Sequence, residues 1–190
     1  MKLIVGLGNP GLRYENTRHN LGAKVLKIFA KENKAKFKLE RSLKSMISVV
    51  GFGDSQCLLA VPATFMNLSG EAVGLLLKIH KIPLGNLLVV HDDMDLELGV
   101  MRFKKQGSSG GHKGVDSIIK KLGTEDFNRL KLGVGKSSLK EATRDNVLSD
   151  FSRSEQKVIS GLLNKTVHAC QSWVRFGIDR AMNDYNKKDN

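Results

Sequence analysis

The sequence predicts a single α/β domain over residues 1–190, with a mixed, twisted sheet flanked by helices on both faces. Three observations carry this expectation. Apolar runs such as KLIVGL, NLLVV and RLKLGVG alternate with segments of helical periodicity, an order that builds sheets covered by helices. SMISVVGF and QCLLAVP flank Gly53, Asp54 and Ser55 as a hairpin, which adds an antiparallel pair to the sheet. The chain has 190 residues, 41% of them hydrophobic, which suits one domain with a sizeable core.

Each element has its own signal. KLIVGL is a strand stopped by Gly-Asn-Pro-Gly. From Asn20 to about Asn33 the apolar set Leu21, Val25, Ile28 and Phe29 has helical spacing, with Asn16 or Thr17 as the expected cap. After the hairpin, residues Pro62 to Ser69 read as a loop and GEAVGLLLKIHKI as a helix stopped by Pro83. NLLVV is a buried strand, HDDMDLELG a polar loop, VMRFKK a strand and QGSSGGHKG a glycine-rich loop. Val115 to Leu122 is a short helix and RLKLGVG a further strand, and the tail from about Ser154 to Tyr185 is mostly helical.

Charge and composition narrow the function classes. The net charge is +12, from 31 basic and 19 acidic residues, and such an excess suits a polyanionic partner. Lys24 to Lys44 holds eight basic and two acidic residues, and Arg102 to Lys140 holds ten and three. Aromatic residues are only 6%, so phosphate contact fits better than base stacking on an aromatic sheet. No run approaches the apolar length of a membrane span, and MKLIVGLGNPG is too short and glycine-broken for a signal peptide. Cys57 and Cys170 are two isolated cysteines, which favours buried thiols in a reducing cytoplasm.

The opening GLGNPG has the spacing of a dinucleotide fingerprint, but its context does not. Such a loop needs a helix starting inside the motif and an acidic residue at the end of a second strand about twenty residues on. Here LRYENT follows, and the acidic position falls inside the first helix. QGSSGGHKG likewise departs from a P-loop, with His112 and Gly114 where glycine and Ser or Thr are required. No dinucleotide is expected.

Polar residues instead cluster just past the strands. Asn9 follows the first, Thr64 and Asn67 follow the strand ending at Val61, and Asp92 follows NLLVV. If these strands run parallel, the residues meet at one mouth, where open α/β sheets hold their ligands. His19 sits at the start of the next helix, where the dipole disfavours imidazolium. A neutral imidazole is what a general base requires, and Asp92 can fix its tautomer. The plainer reading, a helix-capping histidine, does not explain this convergence.

No GxSxG elbow frames Ser69, and Cys57 lies in an apolar strand. Water activated by His19 is therefore the expected nucleophile. Asp92, Asp93, Asp95 and Glu97 offer a metal alternative, but they lack EF-hand spacing and His91 alone accompanies them. The run reads as one catalytic carboxylate plus a solvated loop, with no metal.

The motifs VGLGNPG, YENTRHNLG, PATFMNLSGEAV, VVHDDMDLELG and GGHKG, in this order and followed by a helical tail, resemble bacterial-type peptidyl-tRNA hydrolases from Lys2 to about Tyr185. The resemblance implies cleavage of the ester joining a peptide to the 3′ end of tRNA, by a cytoplasmic monomer without metal or cofactor. It implies His19 and Asp92 as the catalytic pair. Asn9, Tyr14, Met66, Asn67, His112 and Lys113 become substrate-binding positions, and Lys104 and Lys131 a clamp on the tRNA 5′-phosphate. Two positions depart from the family pattern. Lys113 stands where an asparagine is common, and lysine cannot accept a hydrogen bond. Lys131 stands where arginine is frequent, giving a point charge instead of a fork. Plant-organelle relatives that serve RNA splicing supply a second reading, binding without hydrolysis. That reading leaves the joint presence of His19, Asp92, Asn9 and Asn67 without a reason.

Overall fold

The computed structural model describes residues 1–53, 55–135 and 149–187. Residues 136–148 lie outside the described residues, and with them the end of the second basic stretch, Lys136 to Lys140. Among the described residues, seven strands and five α-helices follow in the order β1 Lys2–Gly6, α1 Leu21–Glu32, β2 Lys38–Glu40, β3 Ser45–Phe52, β4 Ser55–Pro62, α2 Ser69–Ile79, β5 Leu87–Asp93, β6 Met101–Lys104, α3 Lys113–Leu122, β7 Asn128–Gly133, α4 Arg153–Phe176 and α5 Ile178–Tyr185. They form one sheet in the order β2-β3-β4-β1-β5-β7-β6. The centre is parallel, β4 to β1 to β5 to β7. Both edges are antiparallel, β2 and β3 on one side and β6 on the other.

The period-two alternation of each strand divides the core into two layers. Ile4, Leu59, Leu88, Val90, Leu130 and Leu132 face α1 and α4, where Val25, Phe29, Leu162, Val167 and Trp173 are buried against them. Leu3, Val5, Leu58, Ala60, Leu87 and Val89 face α2 and α3, meeting Val73, Leu76, Val115 and Ile118. Strands buried on both faces read as continuous apolar runs, and this is why they were visible in the sequence.

Several local expectations shift. NLLVV does not end at Val90, because β7 pairs alongside and carries the strand through His91, Asp92 and Asp93. As the sequence predicts, no α-helix starts inside GLGNPG; a single 3-10 turn, Leu12–Tyr14, follows it, and α1 begins only at Leu21. Neither Asn16 nor Thr17 caps α1. The Thr17 hydroxyl donates to Tyr14 O at 2.8 Å, and Asn20 occupies the cap position with its side chain directed elsewhere. The loop after β4 closes in a 3-10 turn, Met66–Leu68, that leads into α2. That helix ends at Ile79, before Pro83, with Lys81 in a left-handed turn. The helical tail is two helices, broken at Gly177 (φ 83°). The first opens on a capping box between Ser152 and Glu155. β2 has no signal in the sequence because its three residues are all exposed and carry no buried pattern.

One close approach sets the start of α1 over the strand ends. A Cβ on Gly22 would lie 2.2 Å from Val90 O, and one on Gly6 would lie 2.3 Å from Gly22 O. Ala23 N donates to Leu7 O at 3.0 Å, and Leu7 N to Val90 O at 3.0 Å. Glycine at both positions lets helix and strand backbones touch. Gly22→Ala is expected to cost about 1–3 kcal/mol through overpacking, read as a lower urea midpoint at equilibrium. A wild-type midpoint would show that the helix is not held this near.

Candidate active site

The parallel centre brings the chemistry to one end of the sheet. β5 delivers Asp92, the turn after β1 delivers Asn9, the turn after β4 delivers Met66 and Asn67, and a 3-10 turn at Arg18–Asn20 delivers His19. These residues line one cavity of about 490 Å³, together with Phe65, His91, Met94, His112 and Lys113. Asp93, Asp95 and the Ser109–Gly111 stretch complete the lining.

Asp92 is 2% exposed. Its Oδ1 and Oδ2 lie 2.8 and 3.0 Å from His19 Nδ1, and Oδ1 lies 3.0 Å from His112 Nε2. Burial alone would raise its carboxyl, but the two imidazoles outweigh that and hold it well below the usual range. His112 caps α3: its Nδ1 accepts from Gly114 N at 3.1 Å and Val115 N at 3.3 Å. A nitrogen that accepts from two amides carries no proton, so Nε2 is the protonated nitrogen and donates to Asp92. The same carboxylate takes the Nδ1–H of His19. The lone pair of His19 is therefore on Nε2, on the side away from Asp92.

His19, Asp92 and His112 offer ligand atoms within 4.8 Å of one another, a grouping that could in principle hold a metal. The donor chemistry does not fit: the Nε2 lone pair of His112 is taken up by its proton, and its Nδ1 faces two N–H groups. Asp93 instead pairs with Lys131. Asp93, Asp95 and Glu97 do not join Asp92 in a ligand group among the described residues.

Asn9 Oδ1 accepts from Met66 N at 2.8 Å, which leaves its amide N–H groups for the cavity. Asn67 is exposed at the rim, and Met66 is buried with its sulfur beside Gly114. Lys113, at the first position of α3, is exposed at the same mouth. Tyr14 and Thr64 are not among the lining residues. The Tyr14 carbonyl accepts from Thr17 N and Oγ1. Lys104 and Lys131 also lie outside the cavity. The register pairs Arg102 with Lys131 and Lys104 with Arg129, so Arg102, Lys104 and Lys131 share one face of the β6–β7 edge. Burial pushes the Cys57 thiol up to about 12 and Cys170 higher still, the state of inert core thiols.

Sequence reasoning missed the place of His91 in the cavity lining. His91 is 2% exposed, donates from Nδ1 to Asp92 O at 2.7 Å, and has its ring 4.7 Å from that of His112. Burial first, then the neighbouring His112, push it well below the usual histidine range. The folded chain therefore keeps it neutral where the unfolded chain, at about pH 6.5, binds a proton. Stability is full above that pH and falls below it, by up to about 1.4 kcal/mol per pH unit. Urea midpoints at pH 8 and 5.5 are expected to differ more for the wild type than for His91→Gln; equal differences would contradict this sign.

Comparison with known proteins gives the family. The family described as Peptidyl-tRNA hydrolase matches residues 3–190. A peptidyl-tRNA hydrolase of Syntrophomonas wolfei is 43% identical over 98% of this chain and 100% of its own. One of Aquifex aeolicus is 44% identical over 100% and 98%. The crystal structure of peptidyl-tRNA hydrolase from Acinetobacter baumannii superposes with a TM-score of 0.92 at 31% identity, covering 98% of this chain and 94% of that one. An Arabidopsis thaliana 5′-methylthioadenosine nucleosidase, at 6% identity and a TM-score of 0.53, shares the fold alone. Identity at this level along the whole length admits one assignment: the chain belongs to the peptidyl-tRNA hydrolase family.

Proposed function

We infer that the hydrolase activity of this family is carried here by a water activated at His19 Nε2, which attacks the ester carbonyl between a peptide, or an N-blocked amino acid, and the 3′ end of tRNA. The observation that carries the reading is that Asp92 lies between His19 Nδ1 and His112 Nε2 while His112 Nδ1 accepts from two α3 amides, an arrangement that assigns opposed tautomers and leaves a basic nitrogen at the cavity. His19 takes the water proton as the hydroxide oxygen bonds to the carbonyl carbon. The Asn9 N–H groups donate to the oxygen that gains charge. As the intermediate collapses, the C–O bond to the ribose breaks and the imidazolium returns the proton to the leaving hydroxyl. Asp92 stabilises that imidazolium throughout. An ester is easier to cleave than an amide, so one activated water suffices without a covalent enzyme intermediate.

Asn9 and Asn67 offer neutral amide groups suited to a peptide, and Met66 and Phe65 offer apolar surface beside them. His112 contributes by orienting Asp92. Lys113 places an ammonium at the mouth, where it attracts the phosphates of the tRNA end in place of the family's hydrogen-bonding asparagine. The enzyme acts as a cytoplasmic monomer without metal or cofactor in this reading. No described helix is long and apolar enough to cross a membrane.

Two measurements test the assignment. On N-acetyl-aminoacyl-tRNA, His19→Ala is expected to lower turnover by about 10²–10⁴-fold, the usual weight of a general base. Asp92→Asn loses less, because the carboxamide keeps one acceptor but not the charge. Near wild-type turnover in His19→Ala would remove it from the mechanism, and bound but uncleaved substrate on the wild-type protein would favour a binding-only role.

For tRNA binding, removing one lysine–phosphate interaction reduces the slope of log affinity against log salt by about one unit. Lys104→Ala is expected to show this reduction in full. Lys131→Ala shows less, because Asp93 already holds its ammonium. An unchanged slope for Lys104→Ala would place the phosphate site elsewhere, such as the Lys24–Lys44 stretch.

A further inference from the structure

Asn20 is 6% exposed, follows His19 directly, and does not cap the helix it precedes. Its carboxamide is spent on the backbone of residue 9. Asn9 N donates to Asn20 Oδ1 at 2.9 Å, and Asn20 Nδ2 donates to Asn9 O at 2.9 Å. The two bonds are reciprocal and fix which end of the amide faces which group. They clamp the backbone of Asn9, whose own Oδ1 is held by Met66 N at 2.8 Å. Asn9 thus has its main chain fixed from one side and its side chain from the other, and its N–H groups have one direction left. Gly8 makes room for the clamp: a Cβ there would lie 3.0 Å from Asn20 Cγ and 3.1 Å from Nδ2. Pro10 follows and has no amide hydrogen, and it biases residue 9 toward an extended backbone.

We propose that Asn20 is a positioning residue for hydrolysis, setting the Asn9 amide at a fixed place relative to His19. The proposal rests on the reading of Asn9 as the group that binds the reacting carbonyl. One side chain ties the turn carrying the base to the loop carrying the carbonyl donor, and among the described residues no nearby backbone bond does the same: Ala23 N meets Leu7 O, two residues short of Asn9.

The test is a double-mutant cycle on N-acetyl-aminoacyl-tRNA, with thermal unfolding followed in parallel. Asn20→Ala is expected to lower kcat/KM by about 10–100-fold, the scale of a misplacement of the order of 1 Å. Most of the loss falls in kcat. In an Asn9→Ala background the same substitution costs about twofold or less, because the group it positions is gone. Full activity in Asn9→Ala alone would sink the reading of Asn9, and this proposal with it. A crippled Asn9→Ala, with an undiminished Asn20→Ala loss on top, would overturn the proposal alone.

Asn20→Asp supplies a second readout that does not require the alanine variant to fold. Its carboxylate sets an oxygen against Asn9 O, whereas its protonated carboxyl restores both bonds, donating through O–H and accepting through C=O. The activity ratio of Asn20→Asp to wild type is expected to rise several-fold as pH falls from 8 toward 5, since burial raises a carboxyl. Taking the ratio to wild type removes the pH dependence that the two proteins share. A flat ratio would contradict the clamp.

Discussion

The site depends on one buried carboxylate. Asp92 is withdrawn from water and held between two imidazoles, His19 and His112. A buried charge is costly unless its lone pairs are taken up, and here both N–H groups do that. The cost of burying Asp92 is offset by the arrangement the chemistry needs. Because the α3 amides occupy His112 Nδ1, that ring donates from Nε2. His19 supplies the other donor and turns its lone pair to the cavity. Removing the carboxylate would leave two buried donors facing each other across a gap.

The scaffold exists to bring this carboxylate to the right place. Parallel pairing of β4, β1, β5 and β7 aligns the strand ends, so residues 83 positions apart in sequence (Asn9 to Asp92) share a cavity. The antiparallel edges add width and, on the β6–β7 side, a basic face. The contact of Gly22 with Val90 O lowers the start of α1 onto β5, two residues before Asp92. On its other side the His19 turn is anchored by Arg18, whose guanidinium donates to both Glu155 oxygens at 2.9 Å and lies over the Phe151 ring. Helix α4 thereby braces the turn that carries the base.

Much of this was legible in the sequence. The doubly buried strands announced themselves as apolar runs, and the rule that sites lie beyond parallel strand ends brought Asn9, Asn67, Asp92 and His19 together. What was not legible depended on pairing across the sheet. That β5 continues through His91 and Asp92 follows from β7 lying beside it, and no local propensity in HDDMD signals a strand. The role of Asn20 was hidden because an asparagine at a helix start reads as a cap, whereas its partners are 11 residues away in the chain. Tyr14 was drawn into the site by its motif, and the structure sets its ring beside Arg13, apart from the cavity lining. Arg102 was read only as the start of a basic stretch, because its register opposite Lys131 is set by pairing between β6 and β7.

The account turns on opposite tautomers at two histidines that share one carboxylate. Nitrogen-15 NMR of the imidazoles, recorded near neutral pH on the folded protein, reads them directly. The structure predicts that His19 carries its proton on Nδ1 with a bare Nε2, and that His112 carries its proton on Nε2 with a bare Nδ1. A proton found on Nε2 of neutral His19 would leave no lone pair to activate water, and would contradict the mechanism at its root.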